Sequence, residues 1–338
     1  MPAYFGIPTS QRFDEARMED YSVNAGSVTA NIGKFQDQKI TADGQTRASV
    51  ALSNPETIWF NTGTLCNITC ANCYIESSPT NDALVYLTRA DVEPYLDEVR
   101  TLGWGVREIA FTGGEPFMNP EMIGMMEAAL ERGFEVLVLT NAMRPMMRKS
   151  VQAGLVGLRE RFADKITLRI SVDHYSEELH DAERGKGSLA RTLEGMRWLR
   201  DEGFTMAVAG RIAFHESEAQ ARAGYSALYA ENDFKIDAQN PAITVIFPEM
   251  DMSVDVPEIT TECWGILNKS PDDVMCSSSR MVVKRKGAES PAVLACTLLA
   301  YEPEFELGAT LEEAARPVAL NHPHCAKFCV LGGASCSA

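Results

Sequence analysis

From about residue 56 the chain alternates between short apolar runs rich in β-branched residues and segments whose apolar positions recur every three or four residues. The runs Thr57 to Asn61, Glu108 to Thr112, Glu135 to Thr140, Ile166 to Val172, Thr205 to Phe214 and Ala242 to Phe247 read as strands. Before the second of them, Val92, Tyr95, Leu96, Val99 and Leu102 fall on one helical face, and Gly103 supplies a stop. A helix from about Asn119 to Arg132 closes at Gly133, and another from Leu189 to Glu202 gathers Leu193, Met196, Trp198 and Leu199 before Gly203. Strands joined through helices run mostly parallel, because each crossover returns the chain to the same end of the sheet. The pattern therefore predicts an α/β layer, either an open doubly wound sheet or a partial barrel. In both, functional groups collect at the C-terminal ends of the strands. The unusual residues of this chain sit there: Cys66 to Cys73, Gly113 to Pro116, Thr140-Asn141, and Ser171 to Asp173.

The flanks lack this period. Residues 1–55, rich in Ser, Asn, Gly, Gln and Thr, read as an irregular arm, and residues 56–250 as the α/β domain. Residues 251–338 read as a small cysteine-bearing domain, because six of the nine cysteines fall from Cys263 onward, with prolines and β-like runs such as Met281 to Lys284. With 338 residues, 45% of them hydrophobic and 23% charged, the chain can fill a core of that size. Its 31 Lys and Arg against 47 Asp and Glu give a net charge of −16, a field that repels polyanions, so no nucleic-acid partner is expected. The densest basic run, Lys284-Arg285-Lys286, suits a solvated hairpin or turn. The N-terminus mixes acids and prolines where a secretion signal needs a basic start and an apolar stretch. No segment approaches the roughly 18 apolar residues of a membrane span, so a cytoplasmic protein without a membrane partner is expected. An odd number of cysteines in such a chain favours metal or redox chemistry over a disulfide framework.

Cys66, Cys70 and Cys73 form C-x3-C-x2-C just past a strand. Three thiolates so close in sequence can wrap one compact centre. A cubane cluster has four irons, each usually wanting a thiolate, so three local ligands leave one iron free to bind something else. Zinc would need a fourth ligand, and no His lies nearby in the sequence.

At these residues the chain resembles the radical S-adenosylmethionine (radical SAM) enzymes. Tyr74 follows the third cysteine, a GGEP motif stands at Gly113 to Pro116, and RISVDHYSEELHDAERGKGS, from Arg169 to Ser188, looks like the family's ribose strand and the loop behind it. The resemblance covers roughly Thr57 to Phe247 and implies a partial (β/α)6 barrel of the TIM type. It implies a 4Fe-4S cluster on Cys66, Cys70 and Cys73, with S-adenosylmethionine chelating the open iron through its amino nitrogen and carboxylate. Gly113 and Gly114 would let the backbone approach the cofactor, and Glu115 would accept from the methionine ammonium. Ser171 and Asp173, alternating with Arg169 along one strand, would reach the ribose hydroxyls, with Thr140-Asn141 closing the preceding strand similarly. Arg184, in the HDAERGKG loop, is a candidate to neutralise the methionine carboxylate, and Arg211 is its rival.

Cys276, Cys296, Cys325 and Cys329 are spaced C-x19-C-x28-C-x3-C, a full set for a second 4Fe-4S cluster. They look like the Twitch or SPASM appendages behind the barrel in part of the family, a small α+β auxiliary-cluster domain. The likeness is nearest to the single-cluster Twitch form, although the close pair there is more usually C-x2-C. Cys325, Cys329 and Cys336 are an alternative set, a structural zinc site is another, and Cys263 reads as a buried inert thiol.

The resemblance implies an enzyme that makes a 5′-deoxyadenosyl radical and abstracts a hydrogen atom from a substrate carbon, giving oxidation, dehydrogenation or a new bond. A low-potential donor such as flavodoxin or ferredoxin would supply the electron. Residues 1–55 do not show the amphipathic helices of a leader-binding module, so a small metabolite is the expected substrate. Alternatives are a SPASM-type maturase of a ribosomally made peptide or protein, and a non-catalytic iron-sulfur electron-transfer module.

Overall fold

The computed structural model describes residues 33–213, 216–247 and 255–332. Its strands are β1 (Ser49–Val50), β2 (Thr57–Asn61), β3 (Glu108–Thr112), β4 (Glu135–Thr140), β5 (Ile166–Ser171), β6 (Thr205–Arg211), β7 (Thr244–Phe247), β8 (Ser279–Val283), β9 (Ala292–Leu294), β10 (Glu306–Gly308) and β11 (Val318–Ala319). The helices are α1 (Arg89–Leu102), α2 (Met122–Glu131), α3 (Lys149–Phe162), α4 (Glu177–Arg184), α5 (Ser188–Asp201), α6 (Glu218–Glu231) and α7 (Cys263–Leu267).

All six expected strands exist, as β2 to β7, and they pair in parallel in sequence order. Their inward residues, among them Ile58, Phe60, Ile109, Phe111, Val136, Val138, Leu168 and Ile170, are buried in one core with the facing helices. Helix α1 shows how local signals set the elements. Thr88 and Asp91 form a reciprocal capping box, Val92, Tyr95, Leu96 and Val99 are buried, and Gly103 ends the helix with φ of 64°. Helix α2 starts later than the pattern predicts. Pro116–Met118 first forms a 3-10 turn, and Asn119 is pinned through its amide to the carbonyls of Thr62 and Leu87.

The described part of the expected arm is not irregular throughout. β1 pairs antiparallel with β11, and the buried Arg47 binds Glu258, whose carboxylate also accepts from the Phe35 and Ala42 N–H groups. Residues 1–32 lie outside the described residues. On the other side of the sheet, β8 pairs in parallel with β2, and β9 and β10 follow antiparallel, giving the order β10-β9-β8-β2-β3-β4-β5-β6-β7. The sheet is thus continuous across the expected boundary near residue 250. The Lys284-Arg285-Lys286 turn sits in the β8–β9 hairpin, and each cation meets an acid: Asp91, Glu306 and Asp82 in turn. Among the described residues no helix is long and apolar enough to cross a membrane.

Candidate functional site

The loop after β2 and the loop after β3 are zipped together at the C-terminal end of the sheet. Gly114 N–H donates to the Gly63 carbonyl at 2.8 Å and Glu115 N–H to the Leu65 carbonyl at 3.1 Å. A Cβ on Gly114 would stand 2.2 Å from the Leu65 oxygen, and one on Gly113, at φ of 143°, would stand 2.6 Å from the Gly63 oxygen. The bare backbones of these glycines are thus required by the cysteine loop itself. Because Leu65 precedes Cys66, Gly114→Ala is expected to displace the first thiol, costing about 1–3 kcal/mol of stability and at least tenfold in cluster incorporation. Urea unfolding and iron content read the two effects.

Cys66, Cys70, Cys73, Tyr74, Gly113, Gly114, Thr140, Asn141, Ser171, Arg184 and Arg211 all line one cleft with about 640 Å³ of atom-free space, part of it open to solvent. Apart from Arg184, at the end of α4, these residues come from the ends of β2 to β6 and the loops that follow them. Burial pushes the Cys66 thiol up to about 12 and the Cys70 thiol up to about 11, so both are neutral in the metal-free protein. Ser77 N–H donates to the Cys73 sulfur at 3.3 Å, and the buried Ser77 hydroxyl, in a residue that also lines the cleft, has no hydrogen-bond partner among the described residues.

Two predicted residues do not face the cleft. Glu115 is enclosed, and its carboxylate accepts from the Thr140 hydroxyl at 2.8 Å, the Asn141 N–H at 2.9 Å and the Phe117 N–H at 3.2 Å. Burial holds its carboxyl above the usual range, against the pull of those donors and of Arg184. Through these bonds it locks the β3 and β4 loop ends together. Asp173 also departs from expectation. β5 stops at Ser171, so Asp173 lies beyond the strand, where it binds Arg184 at 2.6 Å and Arg211 at 3.4 Å. One carboxylate therefore holds both candidate arginines beside the thiols. Arg184 itself sits in a helix, not a loop. Ser176 precedes α4, Glu177 and Glu178 occupy the first turn where the helix dipole favours acids, and Gly185 ends it.

Burial raises the Asp173 pKa, but the charges of Arg184 and Arg211 outweigh it and hold the carboxyl below its usual range. Its folded pKa lies below the unfolded value of about 4, so its stabilisation is complete above that pH and is lost as the pH falls through the folded pKa. Asp173→Asn, which leaves the half-buried Arg184 without a carboxylate and Arg211 with only Glu183 at 3.8 Å, is expected to cost about 1–3 kcal/mol at pH 7. The deficit relative to wild type should shrink below about pH 4, as urea titrations across pH would show.

Sequence reasoning missed Glu183. Its carboxylate accepts from the Asn72 N–H at 2.8 Å and the Asn72 amide at 2.7 Å, clamping the cysteine loop onto α4. The signal was its place beside Arg184 in the same segment.

The C-terminal thiols come together elsewhere. Cys276 lies just before β8, whose first residue, Ser279, pairs with Thr57 at the start of β2, whereas Cys66 follows the end of β2. The β8–β9 hairpin returns Cys296 toward Cys276, and Cys276, Cys296 and Cys325 are within electrostatic reach of one another. Burial raises the Cys276 thiol to about 12 and puts Cys325 well above its ordinary value. Cys325 opens a π-helical segment ending at Leu331. With about 4.4 residues per π turn, Cys329 falls on nearly the same face. Arg280 is fully buried beside these thiols and donates to the carbonyls of Ala314, Cys276, Ser279 and Arg316; among the described residues it has no carboxylate partner. Cys263 is half-buried and accepts from the Thr260 N–H at 3.4 Å, and Cys336 lies outside the described residues. Among the described residues no three His, Cys, Asp or Glu side chains converge on a single ion-sized point.

Residues 60–220 match the family model described as the radical SAM superfamily. Over 145 residues the chain is 34% identical to the antilisterial bacteriocin subtilosin biosynthesis protein AlbA of Bacillus subtilis (strain 168), covering 43% of this chain and 30% of AlbA. Over 159 residues it is 28% identical to the AdoMet-dependent heme synthase of Methanosarcina barkeri, covering 46% of this chain and 42% of that protein. The chain thus spans less than half the length of either relative. The structure of anSMEcpe with bound AdoMet superposes with a TM-score of 0.55 at 15% identity, over 81% of this chain and 83% of that one, which shows a shared fold. The stretch that carries the cysteine loop, the Gly-Gly-Glu turn and the parallel strand ends is thus the part of the chain that is similar to the radical SAM superfamily.

Proposed function

We propose that this chain reductively cleaves S-adenosylmethionine and abstracts a hydrogen atom from a substrate carbon, giving oxidation, dehydrogenation or a new bond. The observation that carries the reading is the meeting in one cleft of three thiols, a glycine backbone rim and two arginines sharing one carboxylate. This donor set fits the implied groups. Cys66, Cys70 and Cys73 would hold a 4Fe-4S cluster, and the unpartnered Ser77 hydroxyl has a bond to give to a group in the cleft. When bound, the cluster supplies the electron that breaks the carbon-sulfur bond of S-adenosylmethionine. The protein's part is positional. The thiols release their protons on metal binding, the Gly113-Gly114 rim, Thr140, Asn141, Ser171 and Tyr74 bound the cofactor space, and Glu115 keeps the β3 and β4 ends in register. Arg184 and Arg211 offer positive charge to a carboxylate, with Asp173 holding them in place.

Cys276, Cys296, Cys325 and Cys329 would hold a second 4Fe-4S cluster, for which residues 251–338 supply the ligands. The support is the buried Arg280, because an uncompensated interior guanidinium is costly and an anionic thiolate set beside it offsets the charge. A small metabolite remains our reading of the substrate. The likeness to AlbA, a bacteriocin biosynthesis protein, favours the second reading, a maturase acting on a ribosomally made peptide. The match of residues 60–220 to a superfamily whose named relatives are enzymes favours catalysis over the non-catalytic module. Anaerobically reconstituted protein should carry about eight irons and release 5′-deoxyadenosine with dithionite and S-adenosylmethionine. Iron-loaded, folded protein that releases none would refute the reading.

A further inference from the structure

Cleavage of one S-adenosylmethionine consumes one electron, which must reach the cysteine loop from a side that the cofactor does not fill. The loop has such a side. Asn67 and Ile68, between the first two cysteines, line a second depression together with Met118, Met143, Arg144 and Arg191, and none of these residues lines the thiol cleft. Asn67 connects the two, since its side-chain oxygen accepts from the Asn141 amide at 3.0 Å and that amide stands 4.0 Å from the Cys66 sulfur.

The depression carries an unusual charge for this chain. Arg144, Arg148 and Arg191 are exposed, and among the described residues none of them pairs with a carboxylate, although the chain as a whole has a net charge of −16. Arg148 is spent on structure, donating to the carbonyls of Pro145 and Phe117. Arg191 makes one such bond, to the Lys186 carbonyl at 3.0 Å, and both it and Arg144 are exposed at the rim over a floor of Met118, Met143 and Ile68. Arginine and methionine are the residues that interfaces enrich, and local complementarity governs encounter between proteins that would otherwise repel.

We propose that this arginine-rimmed, methionine-floored depression is the docking site of an acidic one-electron carrier protein of low potential. The inference rests on the function proposed above, since it names the face through which that cleft is reduced. The carrier would give up one electron, Cys66, Cys70 and Cys73 would hold the cluster that accepts it, and cleavage of the carbon-sulfur bond of S-adenosylmethionine would consume it, leaving methionine and the deoxyadenosyl fragment. A small patch suffices, because redox encounters use the low end of interface areas and are made to separate.

The test compares two reductants on the reconstituted full chain, a reduced bacterial flavodoxin and dithionite, in wild type and in Arg144→Glu/Arg191→Glu. Arg148 is kept because it ties two loops. With flavodoxin, the charge-reversed variant should release 5′-deoxyadenosine at least tenfold more slowly, and the wild-type rate should fall with added salt while the variant's does not. With dithionite, the two proteins should agree within twofold. Arg144→Gln/Arg191→Gln should fall between them with flavodoxin, which separates lost attraction from repulsion. Equal loss with both reductants would overturn the proposal and assign the patch to substrate or to folding, a distinction that circular dichroism and iron content make. Unchanged flavodoxin rates would place the donor elsewhere. A wild type inert with dithionite would refute the proposed function itself.

Discussion

Cys66→Ala/Cys70→Ala/Cys73→Ala protein is expected to lose one four-iron cluster and all cleavage of S-adenosylmethionine, while the C-terminal cluster survives. Each of the three thiols lines the cleft, and none is near the C-terminal set, which gathers by the start of β2 while the loop cysteines follow its end. The loop should keep its path in the variant. Its backbone is bonded to Gly114, Glu115, Ser78 and Glu183, and these contacts do not involve sulfur. Iron analysis should fall from about eight to about four atoms per chain, with a Mössbauer spectrum retaining one cluster. Deoxyadenosine release should be undetectable. Loss of all iron from a variant that is still folded would show that the two ligand sets are not independent.

Cys296→Ala is expected to separate radical formation from product formation. The C-terminal thiols are distinct from the cleft where S-adenosylmethionine would bind, so the cluster proposed for them would act after the radical forms, by taking an electron from the substrate or by holding it. Slow, uncoupled deoxyadenosine release should persist at a tenth or more of the wild-type rate, and turnover of substrate should stop. Folding must be compared first, because metal binding also supplies folding energy to the segment that carries its ligands. Arg280 makes that comparison informative: without the anionic cluster its buried charge is offset by carbonyl oxygens alone, so the variant should also unfold at lower urea than wild type. If deoxyadenosine and product vanish together, the second cluster serves the first chemical step. Normal product formation would make the tail structural and restore the zinc reading.

Much of the fold was legible because periodicity is a local property. The six parallel strands, the α1 capping box and the glycine stops follow from residues within a few positions of each other. The cleft was legible for the same reason: residues at the ends of successive parallel strands must converge, whatever the details of the loops. What escaped the sequence depends on partners far apart along it. The Arg47–Glu258 pair and the β1–β11 pairing turn part of an apparently irregular arm into a fastening. β8 joins β2 directly, so the cysteine-rich segment extends the main sheet instead of starting a new one. At the site, the protein partners of Glu115 and Asp173 were not legible: each carboxylate accepts from donors on other elements. Only the three-dimensional arrangement shows that Arg184 and Arg211 share one partner.

The central claim is that S-adenosylmethionine chelates the iron left open by Cys66, Cys70 and Cys73. Electron-nuclear double resonance on the reduced protein, with S-adenosylmethionine carrying oxygen-17 in its carboxylate, tests this at the atom concerned. The account predicts a new oxygen-17 coupling to the cluster signal that is absent from the triple cysteine variant. A wild-type cluster signal that is reduced yet unaltered by the labelled cofactor, with no coupling, would contradict it.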